Sequence, residues 1–164
     1  MSNVPNRQPA VNTAAVERTS AGDAFSGVVI RLIRLQGFLA EAGDELARPA
    51  GQTSARWQVL AAIEAGPATV ADIARTLTLA RQSVQRVADA LSEGGIVEYL
   101  DNPRHARAKL VSMTPDGRAA LSAIQARQRG WADTIGAELG GAQLTRLTAL
   151  LDKVLAAVAR HPVR

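Results

Sequence analysis

The spacing of apolar residues predicts a chain built mainly from amphipathic helices. From about Asp23 to Ala47, apolar side chains recur at intervals of three and four, as on one face of a helix. They are Phe25, Val28, Val29, Leu32, Leu35 and Leu39. A second stripe lies near the end of the chain, at Leu144, Leu147, Leu151, Val154, Leu155 and Val158. Two long striped helices flanking a small central module favour burial against a second subunit, so we expect a homodimer.

Two shorter helices are predicted between these stripes. The first is capped by Thr53 or Ser54 and stops at Gly66. Thr69 opens the second, and Asp72 stands where it completes a capping-box-like pair.

A third helix and a hairpin follow. The helix Arg81–Glu93 is closed by Gly94–Gly95, and the β-prone runs Ile96–Asp101 and Lys109–Met113 enclose the loop Asn102–Arg107. Two short helices joined by a tight turn and followed by a hairpin form the pattern of a winged helix-turn-helix, which places its second helix in a DNA major groove. The predicted fold is mainly α with a small β-hairpin wing, flanked by N- and C-terminal dimerisation helices.

The helix start Thr114-Pro115-Asp116 opens a long helix that reaches about Leu139. These elements predict one folded domain after a flexible tail. The expected parts are a tail over 1–21, a domain over 22–164, a DNA-binding lobe over 53–114 and dimerisation helices over 22–48 and 115–160.

Composition removes several classes of function. Apolar residues make up 47% of the chain and aromatic residues 3%, so the core must consist of Ala, Leu, Val and Ile. There is no cysteine and there are two histidines, and no phosphate loop, metal-ligand cluster or nucleophile–base pair stands at a recognisable spacing. We therefore expect no catalytic residue, metal or cofactor. No stretch has the roughly 20 apolar residues of a membrane span and no secretory signal is visible, so we expect a cytoplasmic protein.

The outer side of the helix Arg81–Glu93 carries the groups that read bases. Val84, Val87, Ala88 and Leu91 are spaced to face inward. The residues left at the N-terminal end are Arg81, Gln82, Ser83, Gln85 and Arg86. Arginine can make bidentate hydrogen bonds to guanine O6 and N7, and glutamine can make them to adenine N6 and N7. An ordinary solvated face is the alternative, which the preceding helix, the turn and the hairpin make less favourable.

The hairpin adds positive charge without a carboxylate between residues 102 and 115. Its basic residues are Arg104, His105, Arg107 and Lys109. A thin positive loop suits the minor groove or its flanking phosphates. The net charge of +4 is consistent with an anionic partner.

The run from Thr53 to Gly117 resembles the MarR family (multiple antibiotic resistance regulator type) of bacterial transcription regulators. The matching segments are TSARWQVLAAI, ATVADIARTLTLARQSVQRVADALSEGGIV and DNPRHARAKLVSMTPDG. The resemblance covers about residues 23–160. It implies a triangular homodimer that binds a pseudo-palindromic operator in double-stranded DNA. It also implies release by a small, often aromatic or phenolic, anion bound between the dimer region and the DNA-binding lobe.

Two positions depart from the family pattern. His105 stands where the family's wing typically has an Asp that orients the arginine corresponding to Arg107. Ala80 stands where the recognition helix usually has a hydroxyl cap, so either Thr78 starts the helix earlier or the cap is lost.

The resemblance places the ligand pocket among the first helix, the helix of Trp57 and the helix after the wing. Trp57 and Arg56 are candidates to stack on and pair with an anion, and Trp131 joins them if its helix faces inward. For Trp57 itself the interpretation as a core anchor is favoured over that as a pocket wall, although one residue can fill both roles. The function we expect is a dimeric transcription regulator, a repressor released by a ligand. The alternatives are a protein-interaction module built on a winged helix and a constitutive regulator without an effector.

Overall fold

The computed structural model of the chain describes residues 19–105 and 107–162. Its helices are α1 (Ser20–Ala47), α2 (Ser54–Ala62), α3 (Val70–Leu77), α4 (Arg81–Glu93), α5 (Pro115–Leu139) and α6 (Gly141–Arg160). Its strands are β1 (Ala68–Thr69), β2 (Val97–Leu100) and β3 (Leu110–Met113). The chain divides into two compact units, one ending at Leu39 and the other beginning at Ala40. Most of the predicted tail lies outside the described residues, and α1 begins at Ser20 rather than near Asp23.

Three helices of the second unit begin at a threonine whose hydroxyl accepts a hydrogen bond from the N–H three residues later. These threonines are Thr53, Thr69 and Thr114, with N···O distances of 3.3, 3.2 and 3.1 Å. Such a cap contributes about 1 kcal/mol because it satisfies a backbone donor that the helix leaves free. The predicted pair at the start of α3 is confirmed, since the Thr69 hydroxyl also donates to Asp72 Oδ2 over 2.7 Å.

The start of α4 has no side-chain cap. Ala80 is the N-cap residue and makes no side-chain hydrogen bond. Thr78 does not replace it, because Thr78 ends α3 in the left-handed conformation at φ 54° and its N–H donates to Ala74 and Arg75 carbonyls. Of the two possibilities that the sequence left open, the lost cap is the one observed.

The sheet has three strands in the order β1-β3-β2, one more than the predicted hairpin. β1 pairs antiparallel with β3 through Ala68↔Val111 and Thr69↔Leu110. The sequence did not reveal β1 because two residues carry no readable alternation. Its pairing ties the start of α3 to the base of the wing.

One hydrophobic core holds α4 against the sheet. Its fully buried large side chains include Leu60 from α2, Ile73 from α3, Leu91 from α4 and Val111 from β3. Leu→Ala changes at such positions typically cost about 2–5 kcal/mol. The helix α4 and the hairpin of β2 and β3 are therefore placed by packing rather than by local propensity.

Among the described residues, the helices are too short or too polar to cross a membrane.

Candidate nucleic-acid interface

The α4 helix is amphipathic as the sequence predicted. Val84, Ala88 and Leu91 are buried in the core. Arg81, Gln82 and Arg86 are exposed, and Ser83 and Gln85 are half-buried. An open concavity of about 600 Å³ lies over the first turns and is lined by Ala80, Gln82, Ser83, Gln85 and Arg86. Its donors and acceptors are those that bind base edges.

The wing loop between β2 and β3 displays basic side chains. Arg104, His105, Arg107 and Lys109 are all exposed. Asn102 shapes the turn, because its Oδ1 accepts from the Arg104 N–H over 3.0 Å and its carbonyl accepts from the His105 N–H over 3.1 Å.

The wing residues are divided between two sides of the loop. Arg107 and Lys109 line a cleft of about 320 Å³ together with Arg81 and Gln85 of α4. On the other side, Arg104 and His105 line a concavity of about 510 Å³ that also includes Asp72. The structure thus brings Arg107 and Lys109 together with α4, whereas Arg104 and His105 line a concavity that no α4 residue shares.

Asp89 and Tyr99 are two polar residues of this cleft that sequence reasoning missed. The Gln85 carboxamide donates to Asp89 Oδ1 over 2.8 Å and to Tyr99 Oη over 2.9 Å. The Tyr99 hydroxyl donates to the same Asp89 oxygen over 2.7 Å. The Gln85–Asp89 pair has the i, i+4 spacing at which helical side chains meet, so this half was visible in the sequence. The Tyr99 contact depends on the placement of β2.

Two pKa shifts accompany these contacts. Burial, and next the hydrogen bond to Asp89, raise the pKa of Tyr99 from its ordinary value of 10.0 to about 12. At the start of α3, the hydrogen bond from Thr69 holds the pKa of Asp72 below its ordinary value, with a further contribution from Arg75, whose Nη1 lies 3.0 Å from the carboxylate.

The three residues predicted to bind a small ligand lie on α2 and α5. Trp57 is half-buried and packs against the hydrophobic core, as the core interpretation of this residue requires. The backbone N–H of Arg56 donates to the Thr53 cap, and its side chain is half-buried. Trp131 is 37% exposed on α5.

Comparison with known proteins agrees with this architecture. A family model described as "MarR family" matches residues 50–108. The uncharacterized protein Rv2011c of Mycobacterium tuberculosis is 38% identical over 105 residues, which are 64% of this chain and 73% of the relative. A mutant of MarR from E. coli, solved in complex with operator DNA, has a TM-score of 0.66 at 28% identity and covers 77% of this chain and 95% of that one.

Residues 50–108 of the chain belong to the MarR family. This MarR-family segment has the DNA-binding fold of transcription regulators. A further relative is the transcriptional activatory protein BadR of Rhodopseudomonas palustris, which is 30% identical over 92 residues, 54% of this chain and 53% of BadR.

Proposed function

We propose that the chain is a homodimeric, sequence-specific DNA-binding regulator. The observation that carries the proposal is the shared cleft, in which Arg81 of α4 faces Arg107 and Lys109 of the wing. Three cations from two separate elements form one positive surface beside the helix that reads bases. Such a surface binds the phosphate backbone while the helix contacts the groove.

The dimer is supported by the exposed apolar face of α6. No residue of α6 is buried. Its exposed large apolar side chains are Leu147 (47%), Leu150 (58%), Leu155 (68%) and Val158 (53%). An apolar stripe of this length is a typical association surface because its burial against a second copy removes it from water.

Binding to DNA is expected to be steeply salt-dependent. Each phosphate contact should contribute about 0.9 to the slope of log affinity against log salt concentration. The test is a titration of promoter fragments at several salt concentrations, with the stoichiometry determined at saturation. We expect two chains per duplex and half-sites about 10 base pairs apart.

Lys109→Ala is the matched variant for this measurement. In a dimer it should reduce the slope by about 2, because two phosphate contacts are lost. Absent or salt-insensitive binding would contradict the proposal and favour a winged helix used for protein contacts. One chain per site would contradict the dimer alone.

We extend the proposal to repression of transcription that is relieved when a small aromatic anion binds. Arg56, Trp57 and Trp131 are the residues we propose to contact this ligand. Transcription from the bound promoter is expected to fall when the protein is added and to recover with one member of a panel of aromatic acids. If transcription rises when the protein is added, the protein is an activator, as the name of BadR states for that relative. Repression that no aromatic acid relieves would indicate a regulator without such an effector.

A further inference from the structure

The side chains of Gln85, Asp89 and Tyr99 form a closed triangle of hydrogen bonds between α4 and β2. The three distances are 2.8 Å for Gln85 Nε2 to Asp89 Oδ1, 2.9 Å for Gln85 Nε2 to Tyr99 Oη and 2.7 Å for Tyr99 Oη to Asp89 Oδ1. All three are within the normal range for strong hydrogen bonds. A side chain predicted to point freely at DNA is therefore held at one end.

The chemistry of the partners determines which end of the Gln85 carboxamide is held. An ionised carboxylate only accepts, so the group facing Asp89 must be the amide nitrogen. The Tyr99 hydroxyl uses its proton on Asp89, so its lone pair accepts the second amide hydrogen. The Gln85 amide nitrogen is thus the donor in both contacts.

The carbonyl oxygen of Gln85 is left available. It accepts no hydrogen bond from the part of the chain that the structure describes. Among those residues, the one buried side-chain nitrogen or oxygen atom without a hydrogen bond is Gln52 Oε1. Gln85 Oε1 also has no partner but is not such a buried atom, so it is accessible to solvent.

Gln85 lies between the two surfaces proposed to contact DNA. It lines the cleft that α4 shares with Arg107 and Lys109. It also lines the concavity formed with Gln82 and Arg86 over the first turns of α4. Gln85 thus lies within the surface that we propose faces the major groove.

A glutamine with a free amide reads adenine by accepting from N6 and donating to N7. A glutamine whose amide nitrogen is held by two protein acceptors offers its oxygen to the groove. That oxygen requires a donor, and the donors in the major groove are the amino groups of adenine N6 and cytosine N4. Resting on the proposed function, we infer that Asp89 and Tyr99 are positioning residues that restrict Gln85 to bases with a major-groove amino group. Adenine and cytosine are accepted at that position of each half-site, and guanine and thymine are excluded.

The Tyr99 hydroxyl remains a hydrogen-bond donor at physiological pH. Burial and the Asp89 carboxylate favour the neutral phenol and raise the pKa of Tyr99 to about 12. A raised pKa means that the stability contributed by this environment is fully present below about pH 10 and is lost as the pH rises towards 12.

The experiment is selection of binding sites from random double-stranded DNA, followed by sequencing. The wild-type protein is compared with Gln85→Ala, Tyr99→Phe and Asp89→Ala. Gln85→Ala identifies the position that Gln85 reads, because the preference there disappears. The wild type should disfavour guanine and thymine at that position by about fivefold or more, the value of one hydrogen bond.

Tyr99→Phe should narrow the preference from both amino bases to adenine. Removing the hydroxyl frees one amide hydrogen of Gln85, which then donates to adenine N7, a contact that cytosine lacks. We expect adenine to gain about fivefold over cytosine. Asp89→Ala should shift the preference in the same direction, and it provides the same comparison if Tyr99→Phe fails to fold.

Glu93→Ala is the control for loss of negative charge. Glu93 is exposed on the same helix and has no hydrogen bond to Gln85. It should leave the base preference unchanged.

Tyr99 is the sole tyrosine of the chain, so the near-ultraviolet absorbance of its phenolate reports the triangle directly. Its titration midpoint should lie at about 12 in the wild type and move towards 10.0 in Asp89→Ala.

The outcomes separate the two proposals. If the wild type selects no sequence at all, the proposed function fails. Three results overturn this inference alone. The first is a selected motif with guanine or thymine at the Gln85 position, and the second is a motif that Gln85→Ala leaves unchanged. The third is a motif that neither Tyr99→Phe nor Asp89→Ala changes. A wild-type tyrosine that titrates at its ordinary pKa in the folded protein also overturns it.

Discussion

Gly117→Ala is expected to lower the free energy of unfolding by about 3 kcal/mol. A Cβ at this position would lie 2.1 Å from the carbonyl oxygen of Ile96 and 3.2 Å from its carbonyl carbon. The atoms met belong to the backbone, so no flexible side chain can move aside. Thr114 holds the same junction, since its hydroxyl lies 3.0 Å from the Ile96 oxygen and accepts from the Gly117 N–H. The measurement is denaturant unfolding at one fixed protein concentration.

Gly130→Ala is the matched control on the same helix. Nothing lies within 4 Å of a Cβ built at Gly130. Replacing an unhindered glycine in a helix interior should stabilise the chain by about 0.5–1 kcal/mol, because alanine loses less conformational freedom on folding. Equal effects of the two substitutions would show that the close approach of α5 to Ile96 does not determine the stability of the junction.

The largest effect on DNA binding is expected for Arg86→Ala. Arg86 is exposed on α4 and lines the concavity with Gln82 and Ser83. A bidentate contact between arginine and guanine contributes about 1–3 kcal/mol of discrimination against the wrong base, and a dimer makes this contact twice. The affinity for the selected site should therefore fall by about 30-fold or more, measured by fluorescence anisotropy at constant salt concentration.

Arg127→Ala controls for the loss of one positive charge. Arg127 is exposed on α5, away from the recognition helix in the sequence, and is not a lining residue of the helix–wing cleft. Its replacement should change the affinity by less than about twofold. If Arg86→Ala weakens specific and random DNA equally, Arg86 contacts phosphate rather than a base. If it weakens neither, α4 does not enter the groove as proposed.

Local chemistry made the helix starts readable from the sequence. A threonine hydroxyl caps a helix through a contact only three residues away, so Thr69 and Thr114 were predicted without knowledge of the fold. The choice between Thr53 and Ser54 needed the structure. Thr53 is the cap, because its hydroxyl accepts from the Arg56 N–H over 3.3 Å, while the Ser54 N–H donates to Asp44 Oδ1 of α1 over 2.6 Å.

The inner face of α4 was equally readable, because periodicity separates buried from exposed positions on any amphipathic helix. Val84, Ala88 and Leu91 are buried as predicted. The division of the wing cations was not readable. Arg107 and Arg104 lie on opposite sides of a loop whose path depends on a turn formed by Asn102.

The sequence by itself determined which segments become helices, where α3 and α5 start, and that a basic hairpin follows α4. These features depend on contacts within a few residues, so the chain's local pattern contains them. Only the tertiary structure decided that β1 joins the sheet, that Gly117 must lack a side chain, and that Gln85 is held by Tyr99. Each of these depends on the distance between elements far apart in the chain, which the packing of the core sets and no local pattern records.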